Sequence, residues 1–251
     1  MIIDSNVLYG FENQAHRDLS PERSLRLMEE KQIDVIVFSN LKCKYYDFEE
    51  GNRETYELTR KDPGKVLGYA GFHQSQYLLV EKDLERCHDE YHLAGVRFFN
   101  TMTGFMSGWG GGFSSLFMDV ILKKLEGWKW PLFVEGGVPF DQIVAAADKY
   151  PELPIIASGV GYGNMGEAIC AVRRCPNVFL EISTLDTMDG IRILTQEIGG
   201  DRIIFGTGMP LNAPTAERLM VQMADVSDET KADIFAGNFL RILQQGGGTL
   251  C

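Results

Sequence analysis

The sequence predicts an α/β protein, a single (β/α)8 TIM barrel with an extra C-terminal helix. Three observations carry that expectation. Eight short apolar runs are near-continuous, as strands buried on both faces of a parallel sheet must be; strict in/out alternation would mark an antiparallel sheet. Amphipathic segments of helical spacing separate the runs. The 251 residues contain no Pro/Ser-rich or charged linker, and one such barrel commonly takes about 250 residues. A doubly wound open sheet shares the same alternation and stays open as the alternative fold.

The elements follow in order. The first strand lies near 1–9, and Ser20-Pro21-Glu22 then places an N-cap residue before a proline at the first helical position, opening a helix to about 31. The run IDVIVF marks a strand over 33–39, followed by a helix over 51–61. Strands at 66–72 and 94–99 precede helices at 78–91 and 113–126, respectively. A strand at 131–136 leads to a helix at 139–150, where Pro151 stops it. Strands at 154–158, 177–183 and 202–206 alternate with helices at 164–174, 187–198 and 214–224. Ser227 opens the additional helix, which runs to about 243. The barrel is therefore expected over 1–245, with 246–251 (GGGTLC) as a disordered tail. The stretch 101–115, TMTGFMSGWGGGFSS, is long and glycine-rich and follows the fourth strand, where it is suited to be a lid or a surface loop.

Composition removes several functions. Net charge is −11 and the pI is about 4.9, so phosphate backbones and anionic lipid are repelled. Neither nucleic acid nor membrane is expected as a partner. The five cysteines show no CxxC pair, which argues for reduced thiols rather than a disulfide framework or a zinc knuckle. No signal peptide and no apolar span is visible, so a cytoplasmic location is expected.

Five segments carry a family resemblance. Residues 3–10 read IDSNVLYG, 130–137 WPLFVEGG, 151–161 PELPIIASGVG, 201–210 DRIIFGTGMP and 237–243 GNFLRIL. In that order they resemble the first, fifth, sixth and eighth strands and the closing helix of the amidohydrolase-2 branch of the amidohydrolase superfamily. The resemblance implies a barrel that binds one or two divalent metals at its C-terminal mouth, and hydrolysis of amides, esters or lactones or decarboxylation of aromatic acids. It also implies metal ligands and a catalytic aspartate at the positions of Asn6, Leu8, Glu135, Gly159 and Gly208. Leucine and glycine offer no side-chain lone pair, and only Glu135 would ligate strongly. The usual metal site is expected to be lost, with no cofactor in its place.

No histidine cluster substitutes for it. His88 and His92 are four apart but lie late in a helix, whereas barrel sites form at strand ends; His16 precedes the first helix. His73 alone is expected near the mouth. The candidate catalytic residues are Glu135 and Glu181, carboxyls whose apolar surroundings would raise their pKa. Asp4, Asn6, His73, Arg97, Asn100 and Ser158 are the candidate substrate-binding residues. Asp4 and Asn6, two apart on a strand, are expected to share a face. Arg97 would either anchor a substrate carboxylate or pair with Glu135 or Glu181.

Three functions remain open. The first is a metal-free hydrolase or lyase acting on a small carboxylate-bearing molecule. The second is an inactive relative that binds a metabolite or serves a partner, as a homodimer or with an active paralogue. The third is a hydrolase or decarboxylase with a displaced metal held by Asp4, Glu135 and Glu181. An inert scaffold is disfavoured, since nothing in the chain is repetitive or fibrous.

Overall fold

A computed structural model describes residues 1–12, 18–45, 47–73, 77–100, 113 and 115–248. The expected lid over 101–115, apart from Phe113 and Ser115, falls outside these residues, as do His16 and 249–251. Eight parallel strands hydrogen-bond in the order in which they occur along the chain. They are β1 (Ile3–Tyr9), β2 (Val35–Asn40), β3 (Val66–His73), β4 (Gly95–Phe99), β5 (Leu132–Val134), β6 (Ile155–Ala157), β7 (Val178–Glu181) and β8 (Ile203–Ile204). The sheet closes on itself: Ser5 N–H donates to Phe205 O, Gly208 N–H to Asn6 O and Leu8 N–H to Met209 O at 2.9–3.1 Å. This is the (β/α)8 barrel, and the open sheet is excluded.

The helices are α1 (Pro21–Glu30), α2 (Lys42–Tyr45), α3 (Phe48–Thr59), α4 (Tyr77–Asp89), α5 (Leu116–Trp128), α6 (Phe140–Lys149), α7 (Met165–Arg174), α8 (Gly190–Ile198) and α9 (Pro214–Met223). Ser20, Asp47 and Ser115 cap α1, α3 and α5 by accepting the backbone N–H three residues on. The four-residue α2 has too few turns to show a period and was not anticipated. Asn40 Oδ1, which accepts Lys42 N–H at 2.9 Å, starts it.

The extra helix is composite: α10 (Asp228–Ala232), a π-helical turn over Asp233–Gly237 and α11 (Asn238–Gln245). Asn238 pins it by donating to Gly200 O and Ile203 O at 2.8 and 2.7 Å. Phe239, Ile242 and Leu243 join Ile3, Val35, Val37, Tyr69, Phe133, Ile156 and Ile204 in one buried cluster. The C-terminal helix thereby caps the barrel floor, opposite the mouth. Past α11, Gly246, Gly247 and Gly248 still donate to Leu243 O and Gln244 O, so the helix terminus holds the chain as far as 248. No described helix is long and apolar enough to cross a membrane.

Candidate functional site

Three strands deliver a buried polar cluster. Asn6 from β1 stands between Arg97 of β4 and Glu181 of β7. Its Oδ1 accepts Arg97 Nη1 at 2.7 Å, and its Nδ2 donates to Glu181 Oε2 at 3.2 Å and Ser183 Oγ at 3.0 Å. Glu181 also accepts Ser183 N–H at 2.8 Å and Ser183 O–H at 2.9 Å. A guanidinium only donates and a carboxylate only accepts, so the Asn6 amide has one workable orientation.

Arg97 is 2% exposed. Its guanidinium lies 4.6 Å from the Phe133 ring centre and 5.1 Å from that of Phe99. Among the described residues it forms no ion pair, and its Nε has no hydrogen-bond partner. Of the two alternatives for Arg97, direct pairing with Glu135 or Glu181 does not form: the neutral amide of Asn6 intervenes on one side, and Lys44 bonds Glu135 on the other. The Tyr69 hydroxyl, also fully buried, lacks a partner among the described residues and interacts electrostatically with Arg97.

Burial pushes the Glu181 carboxyl up to about 7, against the bonds from Ser183 that favour its charged form. Asp4 is pushed up to about 7 by burial as well. The strand that carries Asp4 and Asn6 has a register irregularity between Asp4 and Val7. Asp4 clasps the turn after β8. Its Oδ1 accepts Asn6 N–H and Thr207 N–H at 3.0 Å, and its Oδ2 accepts Thr207 O–H at 2.5 Å.

A second pair spans the opening. Lys44 Nζ of α2 donates to Glu135 Oε1 at 2.9 Å, and Asn100 N–H donates to Glu135 Oε2 at 2.8 Å. Both charged side chains are 17% exposed. Lys44 was missed in the sequence because nothing periodic surrounds it; its only signal is a lysine just past a strand end. His73 ends β3, and burial pushes its imidazole down to about 4, so it stays neutral at physiological pH. Ser158 follows β6, and its backbone N–H donates to Val134 O at 3.1 Å.

At the two glycine positions singled out by the resemblance, the backbone itself matters. Gly159 has φ +88°, and a Cβ built there would lie 2.7 Å from the Cα of Gly136. Gly208 has φ +68°, and a Cβ there would lie 2.8 Å from Asn212 Nδ2. Either position is strained for any side chain. Among the described residues, no three His, Cys, Asp or Glu side chains gather as a metal-binding group. Asp4, Glu135 and Glu181 are thus not brought together.

The sequence profile of the family described as Amidohydrolase matches residues 13–244. No curated protein matches the chain. Among solved structures, 2,6-dihydroxybenzoate decarboxylase from Rhizobium is similar at TM-score 0.76 and 14% identity. 5-Carboxyvanillate decarboxylase from Sphingomonas paucimobilis is similar at 0.74 and 15%. A dihydroxybenzoic acid decarboxylase from Polaromonas sp., with bound manganese and 2-nitroresorcinol, is similar at 0.75 and 17%. Each alignment covers 97% of this chain and 96–98% of the other. At these identities the likeness shows the shared barrel.

Proposed function

Since the chain belongs to the amidohydrolase family, we propose that its barrel mouth binds a small carboxylate-bearing molecule over Arg97 and acts on it without the family's usual divalent metal. The observation that carries this is Arg97 itself. A buried charge with no directly paired counter-charge is costly, and Glu135 and Glu181 act on Arg97 only through space. Here aromatic rings flank the guanidinium and one neutral amide bonds it. A ligand carboxylate supplies the direct ion pair that Arg97 lacks among the described residues, and the guanidinium edge matches it in a two-bond geometry. The similar barrels include decarboxylases of hydroxybenzoic acids, which makes an aromatic acid a suitable first class to test.

The donor set speaks against the metal. Of the five positions that the resemblance assigns to metal chemistry, Leu8, Gly159 and Gly208 offer no side-chain donor. Asn6 uses both ends of its amide on Arg97, Glu181 and Ser183. Glu135 is neutralised by Lys44. A divalent ion would meet one carboxylate whose two oxygens are already in use. That set does not fit a divalent ion.

What remains is proton chemistry. Glu181 sits one amide away from Arg97 and has a pKa near neutrality, which suits a group that gives or takes a proton at pH 7. With the carboxylate held by Arg97, Glu181 is the group that serves a hydrolytic or lyase step as acid or base. The Lys44–Glu135 pair favours a second reading: binding without turnover, since the carboxylate nearest solvent is occupied by a cation.

Calorimetric titration with a panel of small aromatic and aliphatic carboxylates, each beside its neutral amide, tests the first part. Acids should bind at least 10-fold more tightly than their amides, and Arg97→Met should abolish the difference. Equal binding of acid and amide would refute the carboxylate site. Product analysis on the acids that bind then separates turnover from binding alone.

A further inference from the structure

We propose that Lys44 is a second anion-binding cation of the mouth, so that the preferred ligand carries two acidic groups, one for Arg97 and one for Lys44. This rests on the carboxylate reading of Arg97 and extends it. Lys44 follows β2 and Glu135 follows β5, and three steps of the sheet separate these strands. A 2.9 Å contact between them cannot run along the rim; it reaches across the opening. The ammonium is therefore suspended over the barrel interior, on the side from which a ligand must reach Arg97.

Glu135 ties the two cations into one field. Its backbone N–H donates to Phe98 O, next to Arg97, and its charge acts on Arg97. Asn100 N–H fixes its second oxygen. The lysine is fixed just as firmly from behind. Its neighbour Cys43 is fully buried, with Sγ 3.3 Å from Asn52 Oδ1. A Cβ on Gly51 would come within 2.6 Å of that sulfur, and one on Gly71 within 2.7 Å of Cys43 Cβ. Asn52 in turn accepts Gly71 N–H at 2.7 Å and donates to Gly71 O at 3.2 Å and Asp83 Oδ2 at 2.7 Å. α2 is thus keyed into β3, and Lys44 is held at a set height over the opening.

An ammonium has three donors, and among the described residues Glu135 takes one. The pair is part-exposed at 17% on each side, so an incoming anion can reach the ammonium without unfolding anything. A ligand whose first carboxylate is already anchored presents its second at high effective concentration.

The test uses benzoate and the benzene-1,2-, 1,3- and 1,4-dicarboxylates as probes, titrated by calorimetry into wild type, Lys44→Met, Lys44→Arg and Glu135→Gln. The expected result is that wild type prefers at least one dicarboxylate over benzoate by 10-fold or more. Lys44→Met should collapse that preference, Lys44→Arg should retain it, and Glu135→Gln, which leaves the ammonium without its carboxylate, should widen it. A purely structural ion pair predicts that Lys44→Met and Glu135→Gln both lower the melting temperature and leave the preference unchanged; that result overturns the inference. Benzoate binding with no dicarboxylate preference in wild type also overturns it while the Arg97 reading stands. No binding of any probe overturns both.

Discussion

Replacing Glu181 by glutamine should change the pH dependence of stability in a calculable way. Burial, the dominant cause, takes this carboxyl from 4.5 to about 7. A displacement of that size corresponds to about 3 kcal/mol between the two protonation states. The folded value is raised above the unfolded one, so between them the folded chain holds a proton that the unfolded chain has lost. The contribution to stability is fully present below about pH 4.5 and is lost as pH rises through about 7. The slope reaches about 1.4 kcal/mol per pH unit between pH 5 and 7. Asp4, raised from 3.8 to about 7, adds a slope of the same sign. Glu181→Gln should remove roughly half of their combined slope. Its absolute stability should also drop, because the new amide points its NH2 at a donor in either orientation, Asn6 Nδ2 or Ser183 N–H. That loss is independent of pH, so the slope remains the readout. Urea unfolding followed by circular dichroism from pH 5 to 8.5 measures it. His73, pushed down to about 4, contributes a slope of opposite sign below pH 6.5, but identically in both proteins. Equal slopes for wild type and variant would refute the claim that Glu181 holds its proton to neutrality.

Three further outcomes follow from the same geometry. Asn6→Ala removes the amide that separates Arg97 from Glu181, and should cost about 3 kcal/mol in chemical denaturation through unpaired buried groups; a cost under about 1 kcal/mol would show that the relay carries no weight. Gly71→Ala drives a methyl to within 2.7 Å of Cys43 Cβ and 2.9 Å of the Phe99 ring, and should destabilise by about 1–3 kcal/mol on thermal unfolding; an unchanged melting temperature would mean that α2 is not keyed into β3. Native-state alkylation read by peptide mass spectrometry should label exposed Cys170 and spare Cys43 and Cys87, whose buried thiols are held protonated far above the usual range; labelling of Cys43 without denaturant would contradict its burial.

The strands were legible because each is a dense apolar run such as VIVF, and the chain order of such runs leaves little freedom once helices separate them. The mouth residues could be placed for the same reason: a strand end locates its neighbours. Their partners were a different matter. Arg97 near Glu181 was foreseeable, but Asn6 bridging them was not, nor was the irregularity of β1 beside it. Asp4 accepts both the Asn6 and the Thr207 backbone N–H, a pairing that hydropathy does not announce either. Lys44 was invisible because its position comes from a four-residue helix and from Cys43 packing against two glycines far apart in the chain. Pairwise chemistry at a barrel mouth is set by small backbone irregularities, and hydropathy does not encode them.

The contact between Gly136 and Gly159 gives the mouth a direction of change. A histidine at 159, on the left-handed backbone found there, would drive its Cβ into the Cα of Gly136. The ends of β5 and β6 must first move apart, and the hydrogen bonds that set their spacing, Ser158 N–H to Val134 O among them, resist this. An imidazole cannot therefore be added at 159 as an isolated step; the backbone has to yield before any ligand there can be selected or engineered. A single-residue graft at 159 should therefore be read first for its effect on the spacing of β5 and β6, and only then for any ligand it adds.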